Sequence, residues 1–330
     1  MNIVQWGILS TANIAETQLI PAIERSKNAK VVAIASRNKA VFTIAEKFHI
    51  ETVYESYEEL LSDPHIDVVY IPLPNHLHKE WIMKAALAGK HILCEKPITL
   101  TADEAKDVVR VCHENKGFLM EAFMYQFHPQ HDRVREIIAS GEIGEVKLMR
   151  ASFSFYMEES ERKRNIRMNP EKGGGSIYDV GSYCIHSIRN ILQTEPKDVR
   201  VFADIDPVYQ VDTSASAVLK MENGTAAMFD CSFDMTFRNE YEIIGTKGTI
   251  QVPRAYRPDI QGGEGVIIIE KRGEKRIETI VADQYALEVE HLSAAVLEGT
   301  QNYSLEDMIQ NMKVIDACYL SIRECSKVTL

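Results

Sequence analysis

Residues 3–15 read IVQWGILSTANIA, and this stretch decides the fold of the first half of the chain. Its apolar run at 3–9 has the composition of a buried strand, and a turn of small residues follows directly where a helical pattern begins. The same alternation of short β-rich runs and helical patterns continues to about residue 122. Such alternation is typical of a parallel sheet with helices on both faces. We therefore predict a doubly wound parallel sheet, an α/β domain, over residues 1–122.

The other elements of this domain are predicted from the same patterns. Strands are expected at 3–9, 30–36, 52–54, 68–71, 91–94 and 118–122, and helices at about 11–26, 39–48, 56–62, 76–88 and 102–116. The last helical pattern opens with TADE at 101–104, which is a capping-box arrangement. In sheets of this kind ligands bind beyond the carboxyl ends of the strands, so the residues after each strand are the candidate site.

The pattern changes after about residue 123 to longer runs of alternating apolar residues. These runs fall at 146–156, 199–205, 213–221, 224–235, 240–252 and 265–270, with helical patterns at about 178–192, 284–298 and 305–325. Turns at 222–224 and 245–248 predict that consecutive runs pair as antiparallel hairpins. The helices are expected to cover one face of this sheet. We predict a mostly antiparallel, open-sheet α+β domain over residues 123–330.

The composition limits the class of protein and its partners. Apolar residues make up 45% of the chain and charged residues 26%, values typical of globular domains. The sum of 37 Lys and Arg against 48 Asp and Glu is −11, so neither nucleic acid nor an anionic membrane is an expected partner. The open sheet face, where it is apolar, is expected to pair with another subunit in a homodimer or larger homo-oligomer.

The cysteines and the amino terminus bear on the compartment. Six cysteines are scattered without a Cys-x-x-Cys or zinc-type spacing, which predicts reduced, mostly buried thiols and no metal site. The amino terminus enters a strand without a basic region followed by an apolar core, so no signal peptide is expected. No apolar stretch approaches the ~20 residues needed to span a bilayer. These features predict a cytoplasmic protein.

The turn after the first strand is the candidate phosphate site. Ser10, Ala12 and Ala15 follow the small-x-small-x-x-small spacing of a dinucleotide fingerprint, with its glycines replaced. Small residues let the backbone approach a pyrophosphate at a helix amino terminus, where free N–H groups favour an anion. Cofactor contacts are expected from Ser10, Thr11, Ala12, Asn13 and Ile14. The alternative is an ordinary tight strand-to-helix turn.

The end of the second strand bears on the choice of cofactor. A fold that prefers NAD usually has Asp or Glu there, whereas an arginine accommodates the 2′-phosphate of NADP. Here the strand ends in Ser36 and Arg37. We therefore predict a cofactor-binding role for both residues and NADP as the preferred cofactor, with NAD possible. The alternative for Arg37 is a solvated charge at a strand end.

The loop after the fourth strand, PLPNHLH at 72–78, has two prolines that stop the strand. It is expected to lie over the carboxyl edge of the sheet, beside the nicotinamide. Pro72, Asn75 and His78 are the predicted cofactor contacts. His76 is expected to face water at the start of a helix.

The run GKHILCEKP at 89–97 carries the candidate catalytic group. A short apolar strand ends here in Glu95, Lys96 and Pro97, where a parallel sheet presents its edge to a ligand. Lys96 is placed for chemistry, Glu95 is expected to help bind the cofactor, and the Lys96–Pro97 bond is of the kind that can be cis. Taken alone, this tripeptide is more often a surface turn.

Five stretches together resemble the glucose-fructose oxidoreductase, inositol dehydrogenase and rhizopine-catabolism (Gfo/Idh/MocA) family. They are WGILSTANIA at 6–15, PNHLH at 74–78, EKP at 95–97, EAFMYQFHP at 121–129 and GGGSIYDVGSY at 173–183. The resemblance implies an amino-terminal Rossmann domain, a second domain carrying much of the substrate pocket, and hydride transfer between NAD(P) and a sugar or cyclic polyol carbon. Gln126 departs from the family pattern, which usually has arginine there.

The resemblance also implies the roles of three residues. Lys96 matches the catalytic lysine, Asp179 its acidic partner, and Tyr183 stands where many members have histidine. A tyrosine at that position is similar to glucose-fructose oxidoreductase, the NADP-dependent xylose dehydrogenases and the dimeric dihydrodiol dehydrogenases. Two other readings stay open. One is an NAD-dependent inositol-type dehydrogenase, and the other is a catalytically silent regulator that binds the nucleotide.

The expected chemistry needs a base for the hydroxyl proton while hydride leaves the carbon. Tyrosine is a weak base unless a nearby ammonium favours the phenolate. Our hypothesis is that Tyr183 exchanges the proton, Lys96 polarises the reacting oxygen and tunes Tyr183, and Asp179 orients the lysine or the sugar hydroxyls. Asp179 and Tyr183 are four residues apart, so a helix would place both on one face. His186 is expected to be a packed residue more than a ligand, and Arg150 either reaches the pocket or forms a sheet-face ion pair.

Overall fold

The computed structural model describes residues 3–301 and 303–330. The chain forms two compact units, and Met124 is the last residue of the first continuous stretch. Tyr285–Ile309 also belongs to the first unit, while Tyr125–Gln284 and Gln310–Leu330 form the second. The predicted division after residue 122 places 285–309 in the second domain, whereas these residues belong to the first unit.

The first unit contains a six-stranded sheet in which every strand pair is parallel. The strands are β1 (Val4–Leu9), β2 (Ala29–Ala35), β3 (Thr52–Tyr54), β4 (Val68–Ile71), β5 (His91–Cys94) and β6 (Leu119–Glu121). The helices between them are α1 (Ile20–Arg25), α2 (Ala40–Lys47), α3 (Tyr57–Ser62), α4 (Asn75–Leu87) and α5 (Ala102–Glu114). This confirms the predicted doubly wound sheet and all six of its strands, with no strand end shifted by more than one residue.

The strand order β3-β2-β1-β4-β5-β6 reverses direction between β1 and β4. A crevice opens at such a switch point, outside the carboxyl ends of the strands. The strands that flank it are fully buried: β4 has no exposed residue, and β1 is buried at all positions except Gln5. Near-continuous apolar strands are typical of a parallel sheet covered on both faces.

The second unit contains a nine-stranded sheet of order β14-β13-β12-β11-β7-β10-β9-β8-β15. Its strands are β7 (Val146–Tyr156), β8 (Pro196–Ile205), β9 (Asp212–Met221), β10 (Ala226–Ser232), β11 (Asp234–Gly245), β12 (Thr249–Val252), β13 (Glu264–Lys271), β14 (Glu274–Val281) and β15 (Val328–Thr329). All pairs are antiparallel except β7 with β10. The mostly antiparallel sheet is thus confirmed, as are the hairpins at 222–224 and 245–248.

The remaining helices are α6 (Gln130–Ala139), α7 (Glu159–Arg162), α8 (Ser182–Leu192), α9 (Gln284–Glu298) and α10 (Leu305–Glu324). Helix α9 matches its prediction, and α8 extends a π-helical turn at Ile177–Gly181. Trp6 of β1 explains why α9 packs with the first unit, because its indole N–H donates to Ser293 Oγ at 3.1 Å. A short-range pattern carries no sign of such a long-range partner.

The sequence patterns missed four elements, β14, β15, α6 and the four-residue helix α7. Strand β14 is largely exposed, and its apolar residues Ile277 and Val281 are not buried, so no long apolar alternation marks it. Strand β15 is only two residues long, and α6 buries only part of a polar segment. The single run predicted at 224–235 contains parts of two strands, because β10 ends at Ser232 and β11 begins at Asp234.

One face of the nine-stranded sheet is open within its unit, as predicted. It carries exposed apolar side chains at Phe202, Val218 and Met228, among charged groups such as Arg150 and Arg238. These side chains line a groove of about 730 Å³. No helix among the described residues is long and apolar enough to cross a membrane. Five of the six cysteines are buried and all six are free thiols.

Candidate functional site

Ser10 occupies the turn after β1 with a backbone φ of 98°. This left-handed region favours glycine, which explains why the dinucleotide fingerprint usually has one at this position. The Ser10 hydroxyl accepts a hydrogen bond from the Ala12 N–H at 3.2 Å and donates to Pro72 O at 3.3 Å. The turn after β1 is thereby joined to the loop after β4, at the switch point of the sheet.

The residues after Ser10 fit a pyrophosphate. Thr11, Ala12 and Ile14 are half-buried and Asn13 is exposed, so the turn reaches the surface of its unit. Ala15 is buried where the helical segment begins. Small side chains over an accessible helix start leave room for a phosphate to approach the backbone, which is what such a cofactor needs.

Ser36 and Arg37 follow β2 with different environments. Ser36 is buried, and its hydroxyl accepts from the Asn38 N–H at 3.0 Å, which shapes the turn. Arg37 is exposed and forms no ion pair with any residue that the structure describes. Its guanidinium therefore has the charge and the accessibility that a 2′-phosphate requires.

His78 lies deep in the first unit rather than at its surface. It is fully buried, with Nδ1 2.8 Å from Pro97 O and Nε2 2.8 Å from Leu73 O. Burial lowers its pKa to about 4, so the ring is neutral near pH 7 and only one of its nitrogens donates. His78 therefore connects the loop after β4 to the turn after β5, and a direct cofactor contact would need one of these two contacts to break.

The neighbouring residues of this loop occupy more open positions. Asn75 is half-buried at the start of α4, and Pro72 is buried beside the turn after β1. His76 is exposed, as expected. Of the predicted cofactor contacts in this loop, Asn75 is therefore the accessible polar group, whereas His78 is buried.

Glu95 and Lys96 follow β5 directly, and the Lys96–Pro97 peptide bond is cis. The Tyr70 hydroxyl donates to Glu95 Oε1 at 2.5 Å. Burial, followed by the charge of Glu95, raises the pKa of Tyr70 well above its usual value, so Tyr70 stays a donor. Lys96 is half-buried at the same strand end. The end of β5 thus holds a fixed carboxylate immediately before the lysine.

Asp179 lies in the π-helical turn of the second unit. Its side chain is 13% exposed, and Oδ2 accepts from Arg167 Nε at 2.5 Å. The Asp179 N–H donates to Gly175 O at 3.1 Å, within the turn of three glycines. Asp179 is therefore held through both its backbone and its side chain.

Tyr183 begins the next turn of the same helical segment and is 7% exposed. Its ring lies among three aromatic rings of the second unit, with centroids 5.3 Å away for Phe153, 5.6 Å for Tyr256 and 5.9 Å for Tyr125. Edge and tilted contacts at these separations are favourable and fix the ring orientation. The phenol is therefore pre-oriented by packing.

The sequence alone leaves the roles of His186 and Arg150 undecided. His186 is fully buried, and its Nδ1 is 2.6 Å from the Tyr125 hydroxyl, so it packs in the core of its unit. Arg150 is half-exposed on the open sheet face, with Nη1 3.5 Å from Glu242 Oε2. The sheet-face ion pair is the arrangement that the structure adopts.

The sequence reasoning missed Arg167 and Asp212. Asp212 is buried at the start of β9 and accepts from Ser176 Oγ at 2.8 Å, Ile177 N at 2.7 Å and Tyr319 OH at 2.9 Å. Burial raises the pKa of this carboxyl, while the hydrogen bonds oppose that shift. Neither residue follows a strand end or a recognised spacing, so no local signal marked them.

The comparisons with known proteins agree with this architecture. Residues 4–123 match the family model described as oxidoreductase family, NAD-binding Rossmann fold, and residues 131–251 match the GFO/IDH/MocA C-terminal domain. The chain is 38% identical to D-xylose 1-dehydrogenase (NADP(+)) 2 of Haloferax volcanii, over 99% of this chain and 100% of that protein.

Other relatives act on different molecules. A dTDP-3,4-didehydro-2,6-dideoxy-α-D-glucose 3-reductase of Actinomadura kijaniata is 32% identical over 98% of this chain and 97% of its own. A 3-ketoreductase of that organism, crystallised with NADP and TDP-benzene, superposes with a TM-score of 0.91 at 31% identity, covering 97% of this chain and 98% of its own. Mouse trans-1,2-dihydrobenzene-1,2-diol dehydrogenase is 32% identical over 77% and 76% of the two chains.

The switch-point turn and these matches define an NAD(P)-dependent oxidoreductase with a Rossmann domain. More particularly, the chain belongs to the Gfo/Idh/MocA family.

Proposed function

We propose that this protein is an NADP-preferring dehydrogenase or reductase that moves hydride between the nicotinamide and a carbon of a sugar, cyclic diol or related polyol. The observation that carries the proposal is the similarity to an NADP-dependent D-xylose dehydrogenase, because it spans nearly the full length of both chains. The dihydrodiol and ketosugar relatives widen the candidate substrates to other carbons bearing a hydroxyl or carbonyl group.

The cofactor preference is supported by the end of β2. Arg37 is exposed there, and the Glu58 carboxylate interacts with its charge without forming an ion pair. An arginine at this position accommodates a 2′-phosphate, whereas an acidic residue would favour NAD. The proposed contacts are Ser10, Thr11, Ala12, Asn13, Ile14, Ser36, Arg37, Pro72, Asn75 and Glu95. His78 is proposed to act indirectly, by holding the loop after β4 in place.

The proposed catalytic residues are Lys96, Tyr183 and Asp179. The bound nicotinamide would supply the hydride acceptor or donor. Tyr183 would exchange the proton of the substrate hydroxyl, and its fixed ring suits a group that must meet one oxygen. Lys96 would polarise that oxygen, and the ammonium would favour the phenolate form of the tyrosine. Asp179 would orient the lysine or the hydroxyls of the substrate.

The substrate domain is proposed to comprise residues 123–330, and the assembly to be a homodimer or larger homo-oligomer. The open sheet face supports the second proposal, because Phe202, Val218 and Met228 expose apolar surface there among charges. A mixed surface of this kind is typical of an interface between subunits. We also propose a cytoplasmic location, which the free thiols support, since intracellular proteins keep thiols reduced.

Two alternatives make different predictions. If the protein is an NAD-dependent inositol-type dehydrogenase, Arg37 has no effect on the preference between NADP and NAD. A silent regulator would bind the nucleotide without turnover, although Lys96, Asp179 and Tyr183 are all present.

A two-stage experiment separates these functions. Trp6 and Trp81 both lie in the first unit, so tryptophan fluorescence reports NADPH or NADH binding there. A panel of aldoses, cyclic diols, inositols and ketosugars is then followed by nicotinamide absorbance. The proposal predicts tighter NADPH than NADH binding, and turnover of an aldose, diol or ketosugar. Turnover only with inositols and NAD, or binding without any turnover, contradicts it.

A further inference from the structure

Arg167 is an unassigned charged residue beside a proposed catalytic group. It lies in a single turn of 3₁₀ helix, Ile166–Met168, twelve residues before Asp179. Its Nε donates to Asp179 Oδ2 at 2.5 Å, which is a short, charge-assisted bond. The Asp179 side chain is largely buried, whereas the Arg167 side chain is 42% exposed. The arginine therefore approaches the carboxylate from the solvent side.

The backbone of Arg167 is fixed by the segment around it. Its N–H donates to the Asn165 side chain at 3.1 Å, and its carbonyl accepts from Gly175 N at 2.9 Å. A Cβ at Gly174 would lie 2.5 Å from Arg167 O, so only glycine permits this approach. The three-glycine turn thus brings the Arg167 backbone against the start of the helical segment that carries Asp179.

The other side of that segment is held by Asp212. This buried carboxylate accepts from Ser176 Oγ and Ile177 N, immediately before Asp179. Gly175, with a φ of 119°, has no room for a Cβ because Asp212 Oδ1 occupies the space. Asp212 therefore anchors the backbone before Asp179, while Arg167 contacts the Asp179 side chain itself.

The free energy that the Arg167–Asp179 ion pair contributes to stability helps to distinguish a structural role from a positioning role. An ion pair with one partner 42% exposed typically contributes about 0–1 kcal/mol to stability, so fold stability gives little reason for this contact. The orientation of a reacting or substrate-binding carboxylate has a much larger effect on the catalytic rate, since small misplacements lower that rate strongly.

We infer that Arg167 is a positioning residue that fixes the rotamer of Asp179 for catalysis. This inference rests on the proposed function, because it assigns a partner to one of its catalytic residues. Arg167 acts through Asp179, so its effect on turnover depends on an intact Asp179 carboxylate.

The test compares Arg167→Met, Arg167→Lys and Asp179→Asn with the double variant Arg167→Met/Asp179→Asn. Arg164→Met is the matched control, because Arg164 is an exposed arginine of the same loop with no ion pair among the described residues. Each variant is assayed for kcat, for KM, for the pH profile of kcat/KM, and for NADPH binding by tryptophan fluorescence.

We expect Arg167→Met to lower kcat about tenfold, with NADPH binding unchanged, and Arg167→Lys to recover part of that loss. The acidic limb of its pH profile moves to higher pH, because the carboxylate has lost its cation. In the Asp179→Asn background the same substitution changes kcat less than about twofold. Arg164→Met behaves as the wild type.

Several results would overturn the inference. One is equal kcat for Arg167→Met and Arg164→Met, and another is multiplicative effects of the Arg167 and Asp179 substitutions. If Arg167→Met does not fold, the cycle is run with Arg167→Lys, and unchanged kcat and pH profile in that variant overturn it. Wild-type protein without turnover overturns the proposed function together with the inference, whereas turnover that is insensitive to Arg167 overturns the inference alone.

Discussion

The two halves of the proposed catalytic machinery are built in different ways. In the first unit, Ser10, Arg37 and Lys96 each lie within two residues of the end of a parallel strand, so regular backbone places them at one edge of the sheet. In the second unit, Asp179 and Tyr183 are held by side chains from elsewhere in the sequence, such as Asp212 and Phe153. A site at strand ends tolerates change in its surroundings, whereas a site held by a side-chain network depends on each member.

The largest expected effect comes from removing the reacting groups in either half. Lys96→Met and Tyr183→Phe should each lower kcat by about 10²–10⁴-fold, because each removes a group that handles the proton or the charge of the reacting oxygen. NADPH binding, followed by tryptophan fluorescence, should persist in Tyr183→Phe. Near-normal turnover in both variants would show that Lys96 and Tyr183 do not have the proposed catalytic roles.

The next effect tests the network of the second unit. Asp212→Ala removes an acceptor from three donors and leaves buried groups unsatisfied, which we expect to cost about 2–4 kcal/mol of unfolding free energy. Urea unfolding followed by circular dichroism measures this. Asp198→Ala, an exposed-pair aspartate of β8, is the control and should change the free energy by less than about 1 kcal/mol. Equal effects would mean that the network does not hold the segment.

The two units also differ in how much of each could be predicted from the sequence. The six strands of the first unit and the residues after them could be predicted, because a buried parallel strand and its end leave a local apolar pattern. Arg167 and Asp212 could not, since their partners lie 12 and 35 residues away and pair through side-chain geometry. Strand β14 was missed for a related reason, because its residues bury no apolar face.

A smaller effect is expected from pH, through the buried histidine of the first unit. The folded His78 has its pKa lowered to about 4 by burial, against about 6.5 when unfolded, so unfolding takes up a proton between these values. Stability contributed by this group is therefore present above about pH 6.5 and falls on acidification, by up to about 2 kcal/mol at pH 5.

His78→Gln is the variant that tests this pH dependence. Unfolding free energies at pH 7 and pH 5 should differ less in the variant than in the wild type. An unchanged pH dependence would assign the acid sensitivity to other buried histidines, such as His131, whose pKa burial also lowers.

The smallest effect concerns cofactor choice at the end of β2. Arg37→Glu should shift the ratio of kcat/KM for NADP over NAD toward NAD by about tenfold or more, because it replaces a phosphate-binding cation with an acceptor for the ribose hydroxyl. Lys39→Glu makes the same charge change two residues further on and should leave the ratio within about twofold. A similar shift in both variants would indicate a long-range effect of charge rather than direct contact between Arg37 and the 2′-phosphate.

Transfer of deuterium is the most direct test of the central claim, hydride transfer between a sugar or diol carbon and NADP. The substrate identified by the panel is labelled with deuterium at the reacting carbon and incubated with the enzyme and NADP. Mass spectrometry should then find the deuterium in the reduced cofactor, and the label should fail to appear with Tyr183→Phe. Reduced cofactor without the label, or no reduction with any substrate while NADP binds, would contradict the account.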